Sequence, residues 1–139
     1  TSPTRHFTDP SIAAAVLRLT PQRLLLDPET FGLLFESLCV RDLRIYSGAL
    51  GGSVFHYRDQ SGLEADAVIA LDDGRWALVE VKLGSAQIDE AVATLRKLAD
   101  RVDSRTLGEP SFLMVLTGTA TAYQRDDGVL VVPLGCLSP

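Results

Sequence analysis

Charged residues interrupt a stretch, Gly62–Lys82, that otherwise has the pattern of a buried β-hairpin. Asp72-Asp73-Gly74 separates two apolar runs, and an Asp-Gly turn in that position is a strong hairpin signal. Asp66 stands near the start of the first run, and Glu80 and Lys82 near the end of the second. Partly burying charge costs several kcal/mol unless the charges pair or bind a metal. The hairpin is therefore where the sequence predicts a functional site.

The two carboxylates of this hairpin are expected to meet. Across such a turn the start of one strand lies beside the end of the next, which places Asp66 roughly opposite Glu80. Carboxylate oxygens suit a hard cation such as Mg²⁺ or Mn²⁺, which lowers the pKa of bound water and neutralises charge on a phosphate. Lys82 shares a face with Glu80 and would orient the water or stabilise the transition state. Glu64, on the Asp66 face by strict alternation, is a second candidate acid.

Two helices are predicted ahead of the hairpin. Thr8-Asp9-Pro10 and Asp27-Pro28-Glu29 each combine a capping residue with a proline in the first turn. The first helix is expected to run to Leu19, and the second to about Ser47.

A further acid, Glu36, lies on the flank of the apolar stripe of the second predicted helix. Two interpretations have equal weight: a boundary glutamate paired with Arg41 or Arg44, or a functional acid. Gly32, one turn earlier, costs helix propensity, which is tolerable if the backbone of this helix must approach a strand closely.

The order of the elements predicts an α/β (α+β-like) domain with a central mixed β-sheet of about five strands flanked by helices. The first three strands should form an antiparallel meander, and a crossover helix should place the fourth strand parallel to the third. We expect a loop at 103–110 and a turn at 125–128, and no helix or strand is assigned to 118–123. Besides the hairpin strands 65–71 and 76–82, the elements predicted are strand 53–58, helix 86–102 and strands 111–117 and 129–133.

Composition and charge bound the class of protein. The 139 residues fit a single domain over 9–139, with 1–8 predicted to be disordered or extraneous to it. The apolar runs are too short for a membrane span, no signal peptide is evident, and a cytoplasmic location is expected. A net charge of −5, from 13 basic and 18 acidic residues, does not support a lone DNA-binding protein. Cys39 is expected in the core and His56 in a structural role, because no other His or Cys stands at ligand spacing.

Glu36, Asp66 and Glu80-Val81-Lys82 resemble the PD-(D/E)XK pattern of the restriction-endonuclease-like nucleases. Three stretches are similar, more narrowly, to the C-terminal domain of a group of prokaryotic AAA-type ATPases, a domain of unknown function. These stretches are Phe35-Glu36, Tyr57–Asp66 (YRDQSGLEAD) and Val79–Lys82 (VEVK). The similarity extends over nearly the whole chain.

The resemblance implies a restriction-endonuclease-like fold and a metal site. Asp66 and Glu80 would bind Mg²⁺ or Mn²⁺, with the Val81 carbonyl, and Lys82 would position water or stabilise the transition state. Glu36 would contact a second metal or a bridging water. The implied activity is hydrolysis of DNA phosphodiesters, and the implied partner is an N-terminal ATPase module of the same protein.

The sequence departs from the nuclease pattern and leaves alternatives open. Ala65, rather than proline, precedes Asp66, and no Gln-x-x-x-Tyr motif follows on the third predicted helix. One alternative is a catalytically inactive nuclease fold that serves as a protein-interaction or regulatory module of the ATPase. The other is a purely structural ion pair of Glu80 with Lys82 at a sheet edge.

Overall fold

The computed structural model describes residues 27–102 and 104–137, and in them the chain forms a mixed α/β structure. An open six-stranded sheet is flanked by helices. In chain order the helices and strands are α1 (Pro28–Ala49), β1 (Gly52–Arg58), β2 (Glu64–Leu71), β3 (Trp76–Lys82), α2 (Ile88–Arg101), α3 (Ser104–Leu107), β4 (Phe112–Thr117), β5 (Tyr123–Gln124) and β6 (Leu130–Pro133). Short 3₁₀ turns at Ser85–Gln87 and Leu134–Cys136 complete them.

The sheet has the strand order β1-β2-β3-β4-β6-β5. Strands β1, β2 and β3 form the predicted antiparallel meander, and β4 runs parallel to β3 after the α2 crossover. A parallel neighbour cannot follow through a tight turn, so the helical connection is what permits this arrangement. Strand β6 is parallel to β4, and β5 closes the far edge antiparallel to β6.

The two faces of the sheet carry separate apolar cores. On one face, called the α1 face, Cys39 and Leu43 of α1 pack against a cluster that includes Val79 of β3. On the other, called the α2 face, the apolar side of α2 packs against a cluster that includes Leu78 of β3. Adjacent residues of one strand thus point to opposite helices, as the alternation of side chains requires.

Helix α1 begins where the sequence predicts. The Asp27 side chain accepts hydrogen bonds from the backbone N–H and the hydroxyl of Thr30, and Pro28 occupies the first turn. A capping carboxylate satisfies an N–H that has no partner within the helix, and it lies at the positive end of the dipole.

Within residues 27–102 and 104–137, none of the helices combines the length and the apolar character that a membrane span requires.

Three details differ from the sequence prediction. The sheet has six strands rather than about five, because the unassigned stretch ends in the two-residue strand β5. The predicted loop 103–110 contains the short helix α3. The condition under which Gly32 would be tolerable, a close approach to a strand, is not met, since an added Cβ there meets no atom of the described chain within 4 Å. The helix predicted up to Leu19 and the segment 1–8 lie outside the described residues.

Candidate functional site

Asp66 and Glu80 meet where the ladder between β2 and β3 ends. The last regular pair is Ala67 with Val79, and the same register would place Asp66 opposite Glu80. There the side chains replace the missing ladder bonds. The backbone N–H of Asp66 donates to Oε1 of Glu80 at 3.1 Å, and the backbone N–H of Val81 donates to Oδ2 of Asp66 at 2.7 Å. The predicted convergence of the two acids is thus present in the structure.

An irregularity in β2 directs Asp66 toward helix α1. Phe55 pairs with Val68 and Tyr57 pairs with Ala65, so the single residue between them on β1 faces two residues of β2. Ala65 accordingly belongs to the α2-face core, whereas Ala67, two positions later, belongs to the α1-face core. A β-bulge has this effect, because the extra residue changes the alternation of side chains. Asp66, one residue after Ala65, is placed on the α1 face.

Glu36 of α1 completes the acidic cluster. Its carboxyl is hydrogen-bonded to the Asp66 side chain, and burial followed by the Asp66 charge raises the pKa of Glu36 to about 8. Two carboxyl groups share a hydrogen bond only when one is protonated, and the raised pKa of Glu36 favours its protonated form near neutral pH. The contact with Asp66 joins Glu36 to the acids of the hairpin, which is what the functional interpretation of Glu36 requires.

Glu80 is the most buried acid of the cluster, with 7% of its surface exposed. Burial and then the Asp66 charge raise the pKa of Glu80 to about 8, while the Asp66 N–H and the Lys82 charge act in the opposite direction. Lys82 is thus the positive charge that acts on the buried carboxylate, and it lies half-buried at the end of β3.

His56 and Glu64 extend the cluster along the edge of the sheet. Nε2 of His56 lies 3.0 Å from Oε2 of Glu64, and His56 is the β1 residue opposite the bulge. The negative charge of Glu64 contributes to the raised pKa of both Glu36 and Glu80. The sequence prediction gave His56 no part in the site. The feature that could have pointed to His56 is its position on the strand next to Glu64 and Asp66. That position is informative only when the register of the two strands is known.

A groove of about 490 Å³ opens between the start of α1 and the end of β3, and it is lined by Glu36 but not by Asp66 or Glu80. Phe35 and Glu36 line one wall, and Lys82 and Gln87 line the other. Glu29 is a second acid of the lining. Lys82 is the only cation among the described residues that line the groove. A more apolar cavity of about 450 Å³ lies on the α2 face, and no acid of the cluster lines it.

The donor chemistry of the cluster suits a divalent cation. Carboxylate oxygens are the ligands that Mg²⁺ and Mn²⁺ prefer, and burial followed by the Asp66 charge raises the pKa of Glu36 and of Glu80, so a bound cation would relieve the repulsion among these acids. In the described part of the chain, no three His, Cys, Asp or Glu side chains are arranged around one point to hold a metal. The fit therefore rests on Asp66 and Glu80 with the Val81 peptide, which suits Mg²⁺ because this ion keeps several of its waters.

Comparison with known proteins gives one match. No curated protein and no solved structure matches the chain. A family model described as a domain of unknown function, DUF4143, matches residues 31–137. That range contains the cluster of Glu36, Asp66 and Glu80 together with all six strands of the sheet. The chain belongs to the DUF4143 family of domains of unknown function.

Proposed function

We propose that this domain is a PD-(D/E)XK nuclease-like domain of an ATPase that hydrolyses phosphodiesters of DNA with Mg²⁺ or Mn²⁺. The observation that carries the proposal is the convergence of Asp66 and Glu80 at the end of one hairpin, with Glu36 of α1 against Asp66. Burial and then the Asp66 charge raise the pKa of Glu36 and of Glu80, and perturbed pKa values are common at metal and catalytic sites. A cation bound there would make water more acidic and would neutralise charge on a phosphate.

The architecture supports the nuclease-like interpretation. A helix that carries an acid precedes an antiparallel meander, and a crossover helix leads to a parallel fourth strand. This is the arrangement that the order of the elements predicts, and Glu36, Asp66 and Glu80-Val81-Lys82 lie on its first helix, second strand and third strand. The ATPase module as partner rests on the resemblance of the three short stretches.

The side chains of the cluster have separate roles in this proposal. Asp66 and Glu80 would hold the cation, with the Val81 carbonyl as a further oxygen. Lys82, whose charge already acts on Glu80, would hold the attacking water or a phosphate oxygen. Glu36 would accept or release a proton next to Asp66, since its pKa lies close to neutral pH.

A second candidate is a catalytically inactive nuclease fold that serves as an interaction or regulatory module. Two observations favour it. The described lining of the groove carries one cation, Lys82, against Glu29 and Glu36, whereas phosphate contacts by Lys and Arg dominate nucleic-acid affinity. The net charge of −5 acts in the same direction. In this alternative, the carboxylates of Asp66 and Glu80 serve to hold the two strands together.

Binding of Mn²⁺ or Mg²⁺ followed by calorimetry tests the first proposal. The wild type is expected to bind the cation, and Asp66→Ala and Glu80→Ala are expected to lose it. Asp126→Ala is the matched control, because it removes an exposed carboxylate from the turn before β6. Absence of binding by the wild type at millimolar cation would contradict the metal site and favour the interaction module.

Cleavage of labelled single-stranded and double-stranded oligonucleotides separates binding from chemistry. Lys82→Ala is expected to keep the cation affinity but lose cleavage, because Lys82 is no metal ligand in this proposal. A wild type that binds Mn²⁺ without cleaving either substrate would support the inactive fold.

A further inference from the structure

We infer that His56 is a positioning residue for the proposed metal site, because its contact with Glu64 holds the β2 bulge that directs Asp66 toward Glu36. The inference rests on the proposed function for its purpose, but its structural part is separable. It concerns the juxtaposition of one residue of β1, His56, with two residues of β2.

The bulge determines the face of the sheet on which Asp66 lies. If β2 continued from Val68 with regular alternation, Asp66 would share the α2 face with Val68. That face carries the α2-face core, which includes the fully buried Leu95, whereas Glu36 belongs to α1 on the other face. With the bulge, Asp66 instead contacts Glu36 on the α1 face. The site therefore depends on one extra residue in β2.

The contact of His56 with Glu64 keeps the bulge in place. A bulge disrupts the ladder locally, so the start of β2 has fewer regular bonds to β1 than the rest of the strand. Nε2 of His56 lies 3.0 Å from Oε2 of Glu64, and this contact joins the centre of the irregularity to the residue that begins β2. The ring is largely buried, with 18% of the side chain exposed, so its orientation is constrained by its surroundings.

The contact of His56 with Glu64 also affects Asp66. Glu64 lies two residues before Asp66, and Oδ2 of Asp66 accepts the N–H of Val81 at 2.7 Å. A shift of the start of β2 would therefore be felt at that hydrogen bond. Residues that orient metal ligands without touching the metal typically change its affinity by about 10–100-fold when replaced. His56 is expected to act in this way.

Two replacements of His56 separate its contact with Glu64 from its volume. His56→Phe keeps a ring of similar size and loses the contact with Glu64, whereas His56→Gln keeps a donor of similar reach. Val54→Ala is the control, because Val54 packs on the same face of β1 without contacting Glu64. The readouts on the full chain are the Val81 amide resonance, which reports its bond to Asp66, and the calorimetric dissociation constant for Mn²⁺.

His56→Phe is expected to move the Val81 amide resonance and to weaken Mn²⁺ binding by about 10-fold. His56→Gln should preserve both properties, and Val54→Ala should change neither even if it lowers stability. A Val81 resonance unchanged in His56→Phe, or moved equally by Val54→Ala, would overturn the inference. If the wild type binds no Mn²⁺, the proposed function falls, and the Val81 resonance alone still decides the role of His56.

Discussion

The N–H of Val81 donates a 2.7 Å hydrogen bond to the carboxylate of Asp66, across 15 positions of the chain. Its length is that of a charge-assisted bond, which is roughly twice as strong as a neutral one. The bond also explains how strands β2 and β3 remain joined where their ladder ends, because a buried N–H without a partner is costly. The acid that the sequence predicts to be a metal ligand thus has a structural contact as well.

Asp66→Asn is expected to lower the pKa of both Glu36 and Glu80. The negative charge of Asp66 is the second cause of both shifts, after burial, so each pKa should fall from about 8 and remain above the ordinary 4.5. Titration followed through the carboxyl ¹³C resonances measures the change. Glu64→Gln is the control and should give a smaller decrease, because the Glu64 charge is the weakest of the causes. A pKa of Glu80 unchanged in Asp66→Asn would contradict the electrostatic account of the cluster.

The stability of the metal-free protein should decrease as the pH rises from about 5 to about 8. The pKa of Glu36 and that of Glu80 are raised in the folded state from 4.5 to about 8, so the folded state binds more protons over that interval. The contribution is fully present below the unfolded-state pKa and is lost as the pH rises through the folded-state pKa. Urea unfolding at several pH values measures it.

The matched variant for this titration is the double replacement Glu36→Gln with Glu80→Gln, which removes both ionisations. Its unfolding free energy should change less over the same pH interval. Relative to the wild type, the unfolding free energy of the double variant should therefore increase toward pH 8. A wild-type curve that rises with pH, or that parallels the double variant, would contradict the prediction. Added Mg²⁺ should reduce the loss at high pH if the cluster binds a cation.

The local patterns predicted the elements well because local chemistry determines them. The proline after Asp27 gives the start of α1, and Asp72-Asp73-Gly74 gives the hairpin turn, where Gly74 has a φ of +93°. The same turn sets the register that brings Asp66 to Glu80. These are short-range effects, and they can be deduced without knowledge of the rest of the fold.

The features that escaped prediction depend on contacts between elements. The β2 bulge places Ala65 and Ala67 on opposite faces, which strict alternation does not allow for two residues of equal parity. The part of His56 in the site follows from that bulge. Strand β5 has two residues and no apolar run of its own, so only its pairing with β6 defines it.

Two glycines should respond in opposite directions to replacement by alanine. At Gly52 a Cβ would lie 2.7 Å from Cδ2 of Leu71 and 3.1 Å from the Ala70 carbonyl, so Gly52→Ala should destabilise the protein. At Gly32, inside α1, a Cβ meets nothing within 4 Å among the described residues. Gly32→Ala should therefore stabilise it by about 0.5–1 kcal/mol through helix propensity. Thermal unfolding of the two variants measures both effects, and destabilisation by Gly32→Ala would show that this part of α1 is packed more closely.

The two cysteines should report on the opening of helix α1 beside the acidic cluster. Cys39 lies three residues after Glu36 and is fully buried, while Cys136 is exposed. Burial raises the pKa of the Cys39 thiol well above its ordinary value, so its reactive thiolate forms only when the helix separates from the sheet. A thiol reagent should therefore label Cys136 at once in native buffer and Cys39 far more slowly, with both labelled in urea. Cys136→Ser isolates the slow reaction, and a fast reaction of Cys39 in that variant would mean that α1 opens readily near Glu36.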